Sequence, residues 1–247
     1  MKLSIIIPAY NEEDRIVPTL RQTIAYLSDQ DFESDILVVS DGSLDQTCKT
    51  VNETFSKHPR IQVRAAEYHP NRGKGFAVRY GMLKGTGDCI MFMDADYSVP
   101  ITALEQGLPL LDAGHDIAIA SRAISGAVKT RSQSFLRSLS GKLYTAIQNS
   151  YLDLSFKDTQ CGFKLFTREA AHCLFRMQKL HSVIFDPEIL WLAGRKGFKI
   201  AEFPVVWHHH QESRIQYNTP WKYFFIFQEL FRIRRLHPSD ETCQDQS

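Results

Sequence analysis

The chain has 247 residues, 43% of them hydrophobic, with 29 lysines and arginines against 28 aspartates and glutamates. That length suffices for one large α/β domain with its own core. The net charge of +1 leaves no global field for nucleic acid, so any anion site must be local.

The five cysteines form no C-x-x-C pair, which argues against a disulfide framework or a zinc site and fits a reducing cytoplasm. Met1-Lys2-Leu3 enters an apolar strand at once, without a signal-peptide core. No run reaches the roughly 18 to 20 apolar residues of a membrane-crossing helix. Even Tyr223 to Leu230 is broken by Gln228 and Glu229. The expectation is a soluble or peripheral protein.

Leu3 to Ile7 reads as a buried strand closed by Pro8, and the acids of Asn11-Glu12-Glu13-Asp14 suit the first turn of a helix reaching Leu27. Asp35 to Ser40 is a second strand, ending in Asp41-Gly42-Ser43, with a helix from about Leu44 to Phe55. Ile61 to Ala65 is a third. This alternation describes the first half of a doubly wound parallel sheet. Asn71-Arg72-Gly73-Lys74-Gly75 opens the next helix. Its glycines can bring backbone N–H groups to a phosphate, with Lys74 as a point charge, or simply form a turn; no Walker A pattern is present.

Cys89-Ile90-Met91-Phe92-Met93 then runs without alternation into Asp94-Ala95-Asp96. A strand buried on both faces gives that pattern, which puts the acids at the carboxyl edge of a central strand, where open α/β sheets bind ligands. Two close carboxylates need a cation, and Mg²⁺ or Mn²⁺ shared with substrate phosphates is the natural one.

A helix over Ile101 to Asp112 and a strand over Asp116 to Ala120 lead to Ser121-Arg122 and a mobile basic loop. Arg122, Lys129, Arg131 and Arg137 are the densest positive cluster near any strand end, and a helix follows from Phe135 to Tyr151. If they face the two acids, a phosphate-bearing partner explains them better than a solvated loop does. Asp158 is open to three readings: base, arginine partner or cap. Asp186 and Glu188 sit at a helix N-terminus, where the dipole favours them in any case. Adjacent residues of a strand point to opposite faces, so His208-His209-His210 cannot close on one ion. Trp221 to Leu236 reads as an amphipathic helix, with aromatics and arginines suited either to anionic headgroups or to packing on the domain. From His237 the chain is expected to be a polar, disordered tail.

Together the motifs resemble family 2 glycosyltransferases of the GT-A type, and within them the polyprenyl-phosphate (dolichyl-phosphate) hexosyltransferases. The resemblance rests on Ile5-Ile6-Ile7-Pro8-Ala9-Tyr10-Asn11-Glu12-Glu13, Val39-Ser40-Asp41-Gly42-Ser43, Asn71-Arg72-Gly73-Lys74-Gly75 and Asp94-Ala95-Asp96. It continues through Ser121-Arg122, Asp158-Thr159-Gln160-Cys161-Gly162-Phe163-Lys164, Phe185-Asp186-Pro187-Glu188 and Glu202-Phe203-Pro204-Val205.

The resemblance implies a GT-A α/β fold: a mixed, mostly parallel sheet flanked by helices, as one domain over 1–236 with a C-terminal amphipathic helix at 220–236. It implies that Pro8, Tyr10, Glu12, Asp41, Lys74 and Asp94 line the nucleotide-sugar site, Asp41 facing the base and Glu12 the ribose. Asp94 and Asp96 would bind Mg²⁺ or Mn²⁺, and Arg122, Arg131 and Arg137 would hold an acceptor phosphate. Arg214, in Ser213-Arg214, stands where relatives have a lysine touching the donor diphosphate. Asp158 would be an orienting group, or a base if the acceptor is a hydroxyl. Tyr97-Ser98, in place of the Leu-Gln of mannosyl-type relatives, favours UDP-glucose over GDP-mannose. The implied acceptor is a polyprenyl phosphate, reached from the cytoplasmic face of a membrane by a peripheral protein. Two other readings use the same Asp-x-Asp strand less well: a haloacid-dehalogenase-like phosphatase, which usually carries that motif on its first strand, and a non-catalytic nucleotide-sugar-binding module.

Overall fold

The computed structural model describes residues 1–55, 58, 60–130, 135–208 and 220–238, with the backbone alone at 135–140 and 220–223. The elements in chain order begin β1 (Lys2–Ala9), α1 (Glu13–Ser28), β2 (Glu33–Asp41), α2 (Thr47–Phe55), β3 (Gln62–Tyr68), α3 (Lys74–Met82) and β4 (Cys89–Met93). A 3₁₀ turn leads into α4 (Leu104–Asp112), followed by β5 (Ile117–Ser121), β6 (Val128–Lys129), α5 (Phe135–Leu152), β7 (Phe163–Thr167) and α6 (Arg168–Met177). The chain ends with α7 (Phe185–Arg195), β8 (Ile200–Pro204), β9 (Val206–Trp207) and α8 (Pro220–Leu236).

Seven strands form one sheet in the order β3-β2-β1-β4-β7-β5-β8. All neighbours are parallel except β7, which runs antiparallel to both β4 and β5. The sheet is therefore mixed and mostly parallel. Its central strands lack alternation because both faces are covered. Leu3, Ile5, Ile7, Met91 and Met93 enter one core, and Ile6, Ile90 and Phe92 enter the other.

The reversed strand matters for function. Because β7 runs against β4, with Met93 opposite Phe163, the segment just before β7 arrives at the same edge as the carboxyl end of β4. The carboxyl end of β5 lies there too. Asp94, Arg122 and the 158–162 turn thus share one edge of the sheet.

Several boundaries depart from expectation. Helix α2 starts at Thr47 rather than Leu44, because the Asp45 carboxylate accepts the Thr47 backbone N–H at 3.0 Å and its hydroxyl at 2.5 Å. Within the supposedly irregular basic loop, β6 pairs with β9 as a two-stranded ribbon. Helix α6 was not anticipated, although Thr167 caps it by accepting the Ala170 N–H at 3.3 Å.

His237, assigned from sequence to the polar tail, is buried with its Nε2 2.7 Å from Glu188 Oε1. Cys48, Cys89 and Cys161 are free, whereas Cys173 is disulfide-bonded. One bonded cysteine is not a disulfide framework, and its pairing depends on distance in the fold, which spacing in the chain does not give. His209 and His210 lie outside the described residues, and His208 serves the backbone, donating its N–H to Ser98 O at 2.8 Å.

Candidate active site

The loops after β1 and β2 are stitched together at the sheet edge. Asn11, at a left-handed φ of 53°, accepts the Leu44 N–H at 2.8 Å. The Glu12 N–H donates to Thr47 Oγ1 at 2.9 Å, and the Glu12 carboxylate chelates Arg15 at 2.6 and 2.7 Å. Pro8 is buried in β1, while Tyr10 stands 39% exposed at its end.

Asp41 is nearly buried. Its carboxylate accepts the N–H groups of Arg72 at 2.7 Å and Gly73 at 2.9 Å and the Tyr68 hydroxyl at 2.8 Å. The structure thus sets Asp41 beneath the glycine loop as its anchor.

The glycines in that loop have a packing role. Gly73 has φ of 99°, and a Cβ there would meet His181 O at 2.5 Å; one on Gly75 would meet Ser182 O at 2.7 Å. Their missing side chains let the 181–182 backbone pack against the loop. The N–H groups of Arg72 and Gly73 are already given to Asp41. What the loop presents to the site is the side chain of Lys74, whose Nζ lies 2.6 Å from Asp94 Oδ1.

Asp94 follows the buried run of β4, and its N–H donates to Gly162 O at 3.0 Å. A Cβ on Gly162 would fall within the Asp94 carboxylate, so the turn before β7 is pressed directly onto that acid. Asp96 Oδ1 accepts the Ser98 N–H at 2.9 Å, and Thr19 holds Ala95 O at 2.7 Å. Between them Tyr97 adopts a left-handed φ of 57°, which is costly for a bulky residue and typical of sites where the backbone is held by its surroundings.

On the other side of the 158–162 turn, Arg122 and Asp158 form a bidentate pair, Nε to Oδ2 at 2.6 Å and the second guanidinium nitrogen to Oδ1 at 2.9 Å. The Arg122 N–H adds a third bond at 3.0 Å, and the guanidinium lies 5.5 Å over the Trp207 ring. Burial alone would raise the Asp158 pKa, but the charge and hydrogen bonds of Arg122 outweigh it and hold the carboxyl below its usual range. Of the three roles open from sequence, Asp158 fills two: it is the partner of Arg122, and its Oδ1 caps the turn by accepting the Gln160 N–H at 3.2 Å. Arg137 lies in the first turn of α5; Arg131 and Arg214 fall outside the described residues.

One buried ion pair is not evident from the local sequence. Lys164 is 1% exposed in the middle of the apolar strand β7, with Nζ 2.5 Å from Asp186 Oδ1 and 2.6 Å from Cys161 O. A lone charge in the run Phe163-Lys164-Leu165-Phe166 was the available signal, since a lysine is almost never fully buried unless paired.

Among the described residues no group of three or more His, Cys, Asp or Glu side chains converges as a metal cage. Asp94 and Asp96 therefore offer carboxylates alone, and Asp94 already attracts a cation in Lys74. This donor set fits a hard divalent ion that completes its shell with phosphate oxygens and water.

The family model described as Glycosyl transferase family 2 matches residues 4–175. A dolichyl-phosphate beta-glucosyltransferase of Drosophila melanogaster is 37% identical over 249 residues, covering 94% of this chain and 74% of that protein. One of Trichomonas vaginalis is 36% identical over 224 residues, covering 86% of this chain and 66% of its own length. Among solved structures, mannosyl-3-phosphoglycerate synthase from Rubrobacter xylanophilus superposes with a TM-score of 0.72 at 16% identity, over 100% of this chain and 78% of that one. Glucosyl-3-phosphoglycerate synthase from Mycobacterium tuberculosis, in complex with Mn²⁺ and UDP-glucose, gives 0.66 at 16% identity, over 98% and 80%. These likenesses establish a GT-A fold.

Proposed function

The chain belongs to glycosyltransferase family 2, and we propose that it transfers a hexose, glucose by preference, from a nucleotide-diphosphate sugar to a polyprenyl phosphate of the dolichyl type, with inversion at the anomeric carbon. The observation that carries this reading is the pairing of two cationic groups with two acids at one sheet edge: Lys74 on Asp94 and Arg122 on Asp158. The names of the relatives support both the glucosyl donor and the lipid acceptor.

The chemistry follows from charge. Breaking the sugar–phosphate bond leaves extra negative charge on the nucleoside diphosphate, and groups fixed in advance to receive it lower the barrier. Asp94 and Asp96 would hold a Mg²⁺ or Mn²⁺ ion, which when bound would offset that negative charge, and Lys74 adds a second positive group on the donor side. Tyr10 and the loop anchored by Asp41 form the wall beside the nucleotide, and the ribose is assigned to Glu12, whose carboxylate Arg15 holds in place.

The acceptor asks for less. A phosphate monoester has a second pKa of about 6, so it reaches the site already largely as an oxyanion and needs positioning rather than deprotonation. Arg122 is suited to this because Asp158 fixes its plane on one edge. A carboxylate held ionised by an arginine is a poor proton acceptor near neutrality, which favours the phosphate over a hydroxyl acceptor. In this reading Arg131 and Arg137 would add their charges to the acceptor phosphate.

No helix among the described residues is long and apolar enough to cross a membrane. Helix α8 buries Leu230 and Ile233 against the domain and exposes Phe224, Phe225 and Phe231 beside Arg232 and Arg235. That face suits a peripheral position on an anionic, cytoplasmic membrane surface, which is part of the proposal.

With Mg²⁺ or Mn²⁺, purified protein is expected to move labelled glucose from UDP-glucose to a polyprenyl phosphate, and a chelator is expected to stop it. Asp96→Asn should lower the rate by about a hundredfold or more with the fold intact. Transfer from GDP-mannose alone would overturn the donor assignment, and activity only with water-soluble acceptors would overturn the lipid assignment.

A further inference from the structure

Lys74 occupies an unexpected place for a donor-binding residue. Its ammonium lies 2.6 Å from Asp94 Oδ1, the carboxylate assigned above to the metal. The backbone fixes the origin of Lys74: it is the first residue of α3, following a glycine loop tied to Asp41 and packed on the 181–182 backbone. Only the side chain has freedom to move.

A divalent ion at Asp94 and an ammonium at hydrogen-bond distance from the same carboxylate repel each other and compete for the same oxygens. A donor diphosphate, in contrast, offers both cations new anionic partners. We propose that Lys74 is the resident counter-ion of Asp94, displaced when a divalent ion binds and handed on to the donor diphosphate, so that metal and donor each strengthen the binding of the other. Linkage makes the effect reciprocal. The metal alone binds weakly because it must evict an ammonium, and the donor alone binds weakly because Lys74 is held by Asp94. Together they exchange one ion pair for two. This rests on Asp94 and Asp96 being the metal-binding pair.

The test is a Mn²⁺ titration of the full chain, following free Mn²⁺ by electron paramagnetic resonance, with and without UDP. The wild type is expected to bind Mn²⁺ weakly alone and about tenfold or more tightly with UDP, within the usual range of site–site coupling. Lys74→Met is expected to bind Mn²⁺ alone about tenfold more tightly and to lose most of the enhancement by UDP, while its KM for UDP-glucose rises. Lys74→Arg, which keeps the charge, should preserve the wild-type pattern. Unchanged or weaker Mn²⁺ binding by Lys74→Met would overturn the proposal, because a residue that merely supports Asp94 gives that sign. If Asp94→Asn leaves Mn²⁺ binding intact, or the wild type binds none even with UDP, the metal assignment itself falls and takes the proposal with it.

Discussion

Gly162→Ala is expected to reduce transfer by about a hundredfold while costing little stability. Gly162 makes van der Waals contact with the Asp94 carboxylate, and an added methyl would fall inside it. The obstacle is a side-chain tip and not backbone. The fold can absorb the methyl by turning Asp94 aside, at a cost of about 1 kcal/mol. The site cannot absorb it, because the acid would leave its place beside Lys74. A misplacement of about 1 Å at a reacting centre commonly costs a factor of about 10². The check is to measure kcat/KM, Mn²⁺ affinity in the presence of UDP, and the thermal midpoint. A large fall in the first two with a nearly unchanged third is the expected pattern, and wild-type activity would mean that Asp94 does not need its observed orientation.

The features legible in the sequence are those with short-range causes. The apolar run of β4 ending in two acids announces a strand buried on both faces, and the order of polar strand ends announces a nucleotide-binding edge. Helix α6 has a local signal too, Thr167 followed two residues later by Glu169. What the sequence withheld depends on distant partners. Gly73 and Gly75 look like a phosphate loop until the 181–182 backbone is seen against them. The sequence does not show that Asp41 also accepts from Arg72, Gly73 and Tyr68. Asp158 allowed three roles, and the partnership with Arg122, 36 positions earlier, is invisible in the local sequence, whereas the turn cap to Gln160 is local. His237 is polar in composition but buried, because Glu188 waits for it across the α7–α8 packing.

Lys164→Met is expected to be strongly destabilising, and Lys164→Met combined with Asp186→Leu is expected to recover most of the loss. The pair is buried at 1% and 3% side-chain exposure. Removing one partner strands a buried carboxylate, at a cost of about 3–5 kcal/mol, whereas replacing both by apolar groups is often neutral. For a domain of this size the single change should lower the thermal midpoint by roughly 10 °C. Acid should soften the defect. Burial raises the Asp186 pKa above the ordinary carboxylate value even though Lys164 and Lys74 pull it down, and losing Lys164 raises it further. A group whose pKa is higher in the folded state contributes stability that is present below its unfolded pKa and lost as pH rises through the folded one. The deficit of the single variant against the wild type should therefore be small near pH 4 and grow toward neutrality, as read by denaturant titration; a deficit independent of pH would mean Asp186 is not what the lysine compensates. Activity should separate the two variants from the wild type in another way. Lys164 also holds Cys161 O at 2.6 Å, one residue before the glycine pressed on Asp94. The double variant should regain its fold yet remain well below wild-type kcat/KM, because the apolar pair replaces the charge balance but not the tie that seats the 161–162 turn against the acid.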